Sequence, residues 1–221
     1  MIEEKGVPRT LRATSAVRAG RPASRPGPRR RRVTRRRPLE QLTLDLGAPR
    51  PRWTFSRLVL ASPHVRRIRE RIEFVRGFFP ELDGVTVRVG LARKPGVLGW
   101  GSLDPDAPGV WVRPRRLEHF TIAHELTHLL QARGLVPRGE RACDLWALSR
   151  SALLVDAAPS YLRLPHDLAR LRRLETATSA MLHTAARRAV AARAAGERAY
   201  LKRFEREVAA AWRARHTGRA A

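Results

Sequence analysis

Cysteine, lysine and long apolar runs are all scarce in this 221-residue chain, and each scarcity excludes something. Cys143 is the only cysteine, so there is no disulfide framework and nothing that demands an oxidising compartment. No stretch approaches the roughly eighteen apolar residues of a bilayer span, so no membrane span is expected. The N-terminus, Met1-Ile-Glu-Glu-Lys5, lacks the apolar run of a signal peptide, and a cytoplasmic location is the expectation. Lysine occurs only at positions 5, 94 and 202, so almost all of the positive charge is arginine.

That charge is large, a formal +25. Residues 1–52 carry +11, residues 53–165 carry +6 and residues 166–221 carry +8, so the excess sits at the two ends. Such a field favours polyanions: DNA, RNA or an anionic surface. Hydrophobic residues make up 43%, enough for one core in a chain of this length.

Composition divides the chain into three. Residues 1–52 are rich in Arg, Pro, Gly and Ser and culminate in Arg29-Arg-Arg-Arg-Val-Thr-Arg-Arg-Arg37. They cannot bury enough apolar surface to offset ordering entropy, which predicts a disordered basic tail. Residues 53–165 alternate structural signals. Ser62-Pro63 reads as a helix start, Val65, Ile68, Ile72 and Val75 recur at helical spacing, and Gly77 and Pro80 end the run. Val85–Val89 alternates as a strand, the glycine-rich residues 96–102 and Asp104–Gly109 read as turns, and Val110-Trp-Val112 as a second strand. Helices are predicted from about Leu117 to Arg133 and from about Gly139 to Leu154. Residues 166–221 are Ala/Arg-rich and predict a helical extension, with Leu201, Phe204, Val208 and Trp212 as an apolar stripe. The order of helix, small sheet and two further helices predicts an α+β domain.

The chemistry is concentrated in His124-Glu125-Leu126-Thr127-His128. Two histidines four residues apart lie about 40° apart around a helix, so both imidazoles can reach one ion. Glu125, about 100° round from His124, is poorly placed as a ligand but well placed to take a proton from water at the metal. Ile122, Leu126, Leu129 and Leu130 fall on the opposite face, which predicts that one side packs and the other looks into a cleft. Chance produces this pattern about once in a hundred chains of this composition, so the match carries weight. Zinc held by two histidines needs a third protein ligand and leaves a position for water. His119 lies on the apolar side of the same helix and is excluded. Glu140 is the best candidate, one turn before Asp144 on one helical stripe. Cys143 is a rival, since thiolate suits zinc, although a lone cysteine is more often a small buried hydrophobe.

His124–His128 followed by Glu140-x-x-x-Asp144 resembles the gluzincin branch of zinc metallopeptidases. The resemblance implies Glu140 as third zinc ligand and Asp144 as a carboxylate that orients a ligand histidine. Over residues 85–155 the segments Gly96–Ser102 and Gly109–Val112, followed by the HExxH helix, are also similar to compact SprT-like and ImmA/IrrE-like domains. The third histidine of the SprT pattern has no counterpart here, and the interval from His128 to Glu140 is shorter than in large gluzincins. The implied architecture is a compact zincin-like domain with an N-terminal helix, a small sheet, the HExxH helix and a second ligand helix. In zincins the strand before the metal helix forms the cleft edge, which would be Val110-Trp-Val112. The implied activity is zinc-dependent peptide hydrolysis with Glu125 as general base, and Tyr161 or His166 as a donor to the developing oxyanion. The alternative is a nucleic-acid-binding or regulatory protein whose zincin-like domain is structural or binds peptides without hydrolysis.

In the basic tail, Gln41-Leu-Thr-Leu-Asp-Leu46 resembles the hexapeptide by which bacterial proteins dock on the DNA sliding clamp, with Gln41, Leu44 and Leu46 at the key places. A short element packing on the domain is an equal reading of those residues. Beside the arginine cluster, the clamp resemblance implies a small protease held at DNA by sequence-independent, salt-sensitive contacts.

Overall fold

The computed structural model describes residues 52–92 and 99–217. Gln41, Leu44, Leu46 and the arginine cluster lie outside the described residues. The first described element is β1 (Trp53–Phe55). Ser56 caps the short α1 (Arg57–Leu60) by accepting the Val59 N–H. The next helix, α2 (Val65–Arg76), starts two residues later than Ser62-Pro63 suggests. The Ser62 hydroxyl instead accepts from the His64 N–H, closing a turn that precedes the helix. Ile68, Ile72 and Val75 are fully buried along one face of α2, as their spacing predicts.

Strands β2 (Val87–Leu91), β3 (Gly99–Gly101) and β4 (Gly109–Val112) complete a four-stranded sheet in the order β1-β2-β4-β3. β1 and β4 flank β2 in parallel, while β3 runs antiparallel to β4 with Trp100 opposite Trp111. Two expectations are corrected here. The glycine-rich residues 96–102 contain a strand, because Gly99 and Gly101 pair with Val112 and Val110. Consequently Val110-Trp-Val112 is an interior strand, and the terminal strand beside the metal-motif helix is β3.

Alternation along the strands turns Val87, Val89, Val110 and Val112 inward, all fully buried. They pack with Ile122, Leu126, Leu129 and Leu130 of α3 (His119–Ala132), the motif helix. Each such side chain contributes about 1.5–3 kcal/mol of burial free energy before entropy is charged. The helix N-terminus is capped from a distance: Asp156 accepts the His119 and Phe120 N–H groups at 2.8 and 3.0 Å. Its C-terminus closes in a Schellman motif, with Leu135 N–H on the Leu130 carbonyl and Gly134 N–H on that of Gln131. Gly139, at φ 105°, then admits the sharp entry into α4 (Glu140–Arg150) that a side chain would resist.

After α4 the chain adds α5 (His166–Ala169), α6 (Thr176–Ala194) and α7 (Tyr200–Thr217). α6 packs on α4, and α7 on α6. Phe204 and Val208 are fully buried and Leu201 and Trp212 partly so, in one core continuous with the sheet. The fold is α+β. Among the described residues no helix is long and apolar enough to cross a membrane.

Candidate metal centre

Helix α3 lies between the sheet and α4, so most of its residues are buried, including His124, Glu125 and Thr127. Burial of polar groups is tolerated only where partners exist, and here each has one. The Thr127 hydroxyl donates back to the Ala123 carbonyl. His124 Nδ1 lies 2.7 Å from Asp144 Oδ1, and His128 Nδ1 lies 2.8 Å from Gln131 Oε1. An acceptor at each Nδ1 fixes the tautomer: Nδ1 carries the hydrogen and Nε2 keeps a lone pair.

Those two Nε2 atoms are 3.1 Å apart. Glu140 Oε2 completes a triangle with them, 3.1 Å from His124 Nε2 and 3.3 Å from His128 Nε2. Three elements of local structure bring this about. The i, i+4 spacing aligns the histidines, the seven-residue turn brings α4 back across α3, and Gly139 aims Glu140 from the first position of its helix. Asp144, one turn on and 1% exposed by side chain, reaches His124 from behind, and its second oxygen accepts the Tyr161 N–H at 2.8 Å.

Cys143 lies on the same helix. One ligand atom each from His124, His128 and Cys143 falls within 4.8 Å of the others, so this group could hold a metal ion. The thiol is already engaged, however, donating to the His124 carbonyl at 3.0 Å. Burial, and then the charges of Asp144, Glu125 and Glu140, push its pKa well above the usual thiol value.

Electrostatics around the motif are tightly coupled. Burial works against charge on His124, but the hydrogen bond and charge of Asp144, with Glu125 and Glu140, outweigh it and raise its pKa. Burial and the neighbouring His124 lower that of His128. Burial pushes the Glu125 carboxyl up to about 7, with His124 opposing, Glu140 reinforcing and the Gly101 N–H opposing. A divalent cation among the donors would offset the Glu140 and Asp144 contributions and bring Glu125 back down.

Glu125 faces β3 across a contact only glycine allows. A Cβ on Gly99 would meet Glu125 Oε1 at 2.6 Å, and one on Gly101 would meet the Glu125 carbonyl oxygen at 2.5 Å. Beside this contact a cavity of about 820 Å³ opens, with Glu125, His124, Phe120, Ala157 and Tyr161 in its wall. The Tyr161 ring stacks on His124, with centroids 5.7 Å apart and planes at 21°. His166 is not in that wall; its side chain is 71% exposed and its Nδ1 lies 3.5 Å from Asp167. His119 stays out of the centre too, its ring against Phe74 and its Nδ1 3.4 Å from Asp156.

Sequence reasoning missed Gln131. It sits three residues after His128 on the same face, and its amide also donates to the Pro137 and Gly139 carbonyls at 2.7 and 3.0 Å. One side chain thus orients a histidine and secures the turn that delivers Glu140. The i, i+3 spacing from His128 was the available signal. Compared with models of protein families, with curated proteins and with solved structures, the chain matches none, so the reading of this centre stands on its geometry.

Proposed function

We propose that the chain is a zinc-dependent peptidase in which His124, His128 and Glu140 hold the metal and Glu125 is the general base. One observation carries this reading: His124 Nε2, His128 Nε2 and Glu140 Oε2, three atoms able to act as lone-pair donors, lie 3.1–3.3 Å from one another. Such donors repel one another unless a cation, or a proton shared by His124, lies among them. Tetrahedral ligands at bonds of about 2.0–2.1 Å are separated by about 3.3 Å, which these spacings approach. Two imidazoles and a carboxylate suit zinc better than calcium or magnesium, which favour all-oxygen sites. Glu140 is the third ligand in preference to Cys143, whose thiolate would have to form against three neighbouring carboxylates.

Zinc held there supplies Lewis acidity to a substrate carbonyl and lowers the pKa of water. The protein supplies the rest. Asp144 and Gln131 hold the two imidazoles with Nε2 forward. Glu125 takes a proton from the attacking water and returns it to the leaving amine. Tyr161, stacked on His124 at the cavity wall, is the donor candidate for the oxyanion in preference to His166. As the terminal strand among the described residues, β3 has one backbone edge without a described partner, and an extended peptide added there would run past Glu125.

The test is metal analysis and protein hydrolysis by the purified chain and its Glu125→Gln variant. About one zinc per chain in both, with hydrolysis reduced about 10²–10⁴-fold in the variant, is expected. Absence of zinc from the parent would sink the reading. Stoichiometric zinc without Glu125-dependent hydrolysis would transfer it to a peptide-binding or regulatory module.

A further inference from the structure

The face of the sheet turned away from α3 bears Thr54, Arg88, Trp111 and Trp100, none of them buried. Trp111 lies flat on it. A Cβ on Gly90, its partner on β2, would come within 2.3 Å of the indole, and one on Gly109 within 2.8 Å. The glycines therefore form a floor that only their lack of side chain permits. Trp100, directly opposite on β3, stacks over Trp111 with ring centroids 4.4 Å apart and planes at 33°. One side of each ring is satisfied by this pair, yet Trp100 remains 56% exposed. Leaving so large an apolar ring in water is unfavourable unless something stacks on it.

The charge on this face has one sign. Arg88 is the sole charged residue in the four strands, and it makes no side-chain ion pair or hydrogen bond among the described residues. Arg113 follows Trp111 at the two-residue spacing of the strand. The acidic residues of the β3–β4 hairpin, Asp104 and Asp106, line a hollow with Leu129 and Arg133 instead. Among the described residues, an open aromatic face beside the Arg88 guanidinium, in a chain of net charge +25, is complementary to a polyanion that carries flat rings.

We infer that this face binds single-stranded nucleic acid, a base stacking on Trp100 and a backbone phosphate pairing with Arg88. A duplex does not suit it, because paired bases keep their faces stacked on each other. The site lies across the sheet from Glu125, and the inference is independent of whether the metal centre hydrolyses peptides.

The experiment is fluorescence anisotropy of a labelled oligothymidylate titrated with the full chain and with Trp100→Ala, Trp100→Phe and Arg88→Ala variants, at low and raised salt. Raised salt suppresses the contribution of the other arginines and leaves stacking in view. Trp100→Ala is expected to weaken binding about five- to hundredfold at both salts, with Trp100→Phe recovering most of the loss. Arg88→Ala should reduce the salt slope by about 0.7. Equal affinity of the parent and Trp100→Ala chains, with melting curves unchanged, overturns the inference. So does a Trp100-dependent response to a soluble β-glucan with none to the oligonucleotide, which would assign the face to sugar rings.

Discussion

On one side of the cleft, α3 and α4 present His124, His128, Glu125 and Glu140; on the other, β3 presents Gly99 and Gly101. The helical side works through side chains, each held by a partner: Asp144 on His124, Gln131 on His128, the turn at Gly139 behind Glu140. The strand side works through the absence of side chains, which lets its backbone lie against Glu125. A wall of the first kind fails when an atom is removed. A wall of the second kind fails when one is added.

The largest effect should come from removal on the helical side, and it also separates the two rival third ligands. With Glu140 as ligand, Glu140→Ala lowers zinc affinity at least hundredfold, more than loss of an orienting partner usually does. Cys143→Ala leaves zinc content near that of the parent, since the thiol contributes only a hydrogen bond to the His124 carbonyl. Competition with a chromogenic chelator measures both. The reverse pattern, zinc kept without Glu140 and lost without Cys143, would make the thiolate the ligand.

Addition on the strand side should have an intermediate effect that differs between the two glycines. A methyl at Gly101 meets Glu125 backbone at 2.5 Å and His128 Cβ at 2.8 Å, neither of which can swing aside. Gly101→Ala therefore costs about 1–3 kcal/mol of stability, read as a lower thermal midpoint. A methyl at Gly99 meets the movable end of Glu125 at 2.6–2.9 Å. Gly99→Ala should melt near the parent and keep its zinc, yet lose turnover because Glu125 is displaced. Equal melting and turnover losses in both variants would show that the wall responds as one rigid unit and break the distinction.

The same contrast explains what the sequence made legible. Side-chain walls announce themselves: His124, Glu125 and His128 share one helical turn, and Glu140 and Asp144 share the next helix at the same i, i+4 interval. α3 itself was visible from Ile122, Leu126, Leu129 and Leu130. A wall made of missing side chains has no such signature. Gly99 and Gly101 read as turn residues because their role depends on a helix twenty-odd residues later pressing against them. The resemblance to zincins places the cleft edge at Val110–Val112, and the sequence could not correct it for a related reason. Alternation identifies a strand, but position within a sheet depends on which partners pair with it, and that information is not local. Asp156, capping α3 from across 37 residues, was hidden in the same way.

The smallest effect concerns Tyr161 and His166, the two residues proposed as oxyanion donors beyond α4, and it sharpens the comparison within the helical side. Tyr161 is tied to the centre twice, by its ring on His124 and by its backbone N–H on Asp144. Tyr161→Phe keeps both ties and removes only the hydroxyl, so zinc affinity should stay at the parent value. A donated hydrogen bond that forms only as the carbonyl oxygen gains charge would then appear as a lower kcat with KM unchanged, by about tenfold for a half-exposed group. His166, 71% exposed and outside the cavity wall, has no route to that oxygen, and His166→Ala should change neither constant. If His166→Ala lowered kcat and Tyr161→Phe did not, the chain beyond α4 would have to close over the cleft during turnover, and the stacked tyrosine would be a support for His124 alone.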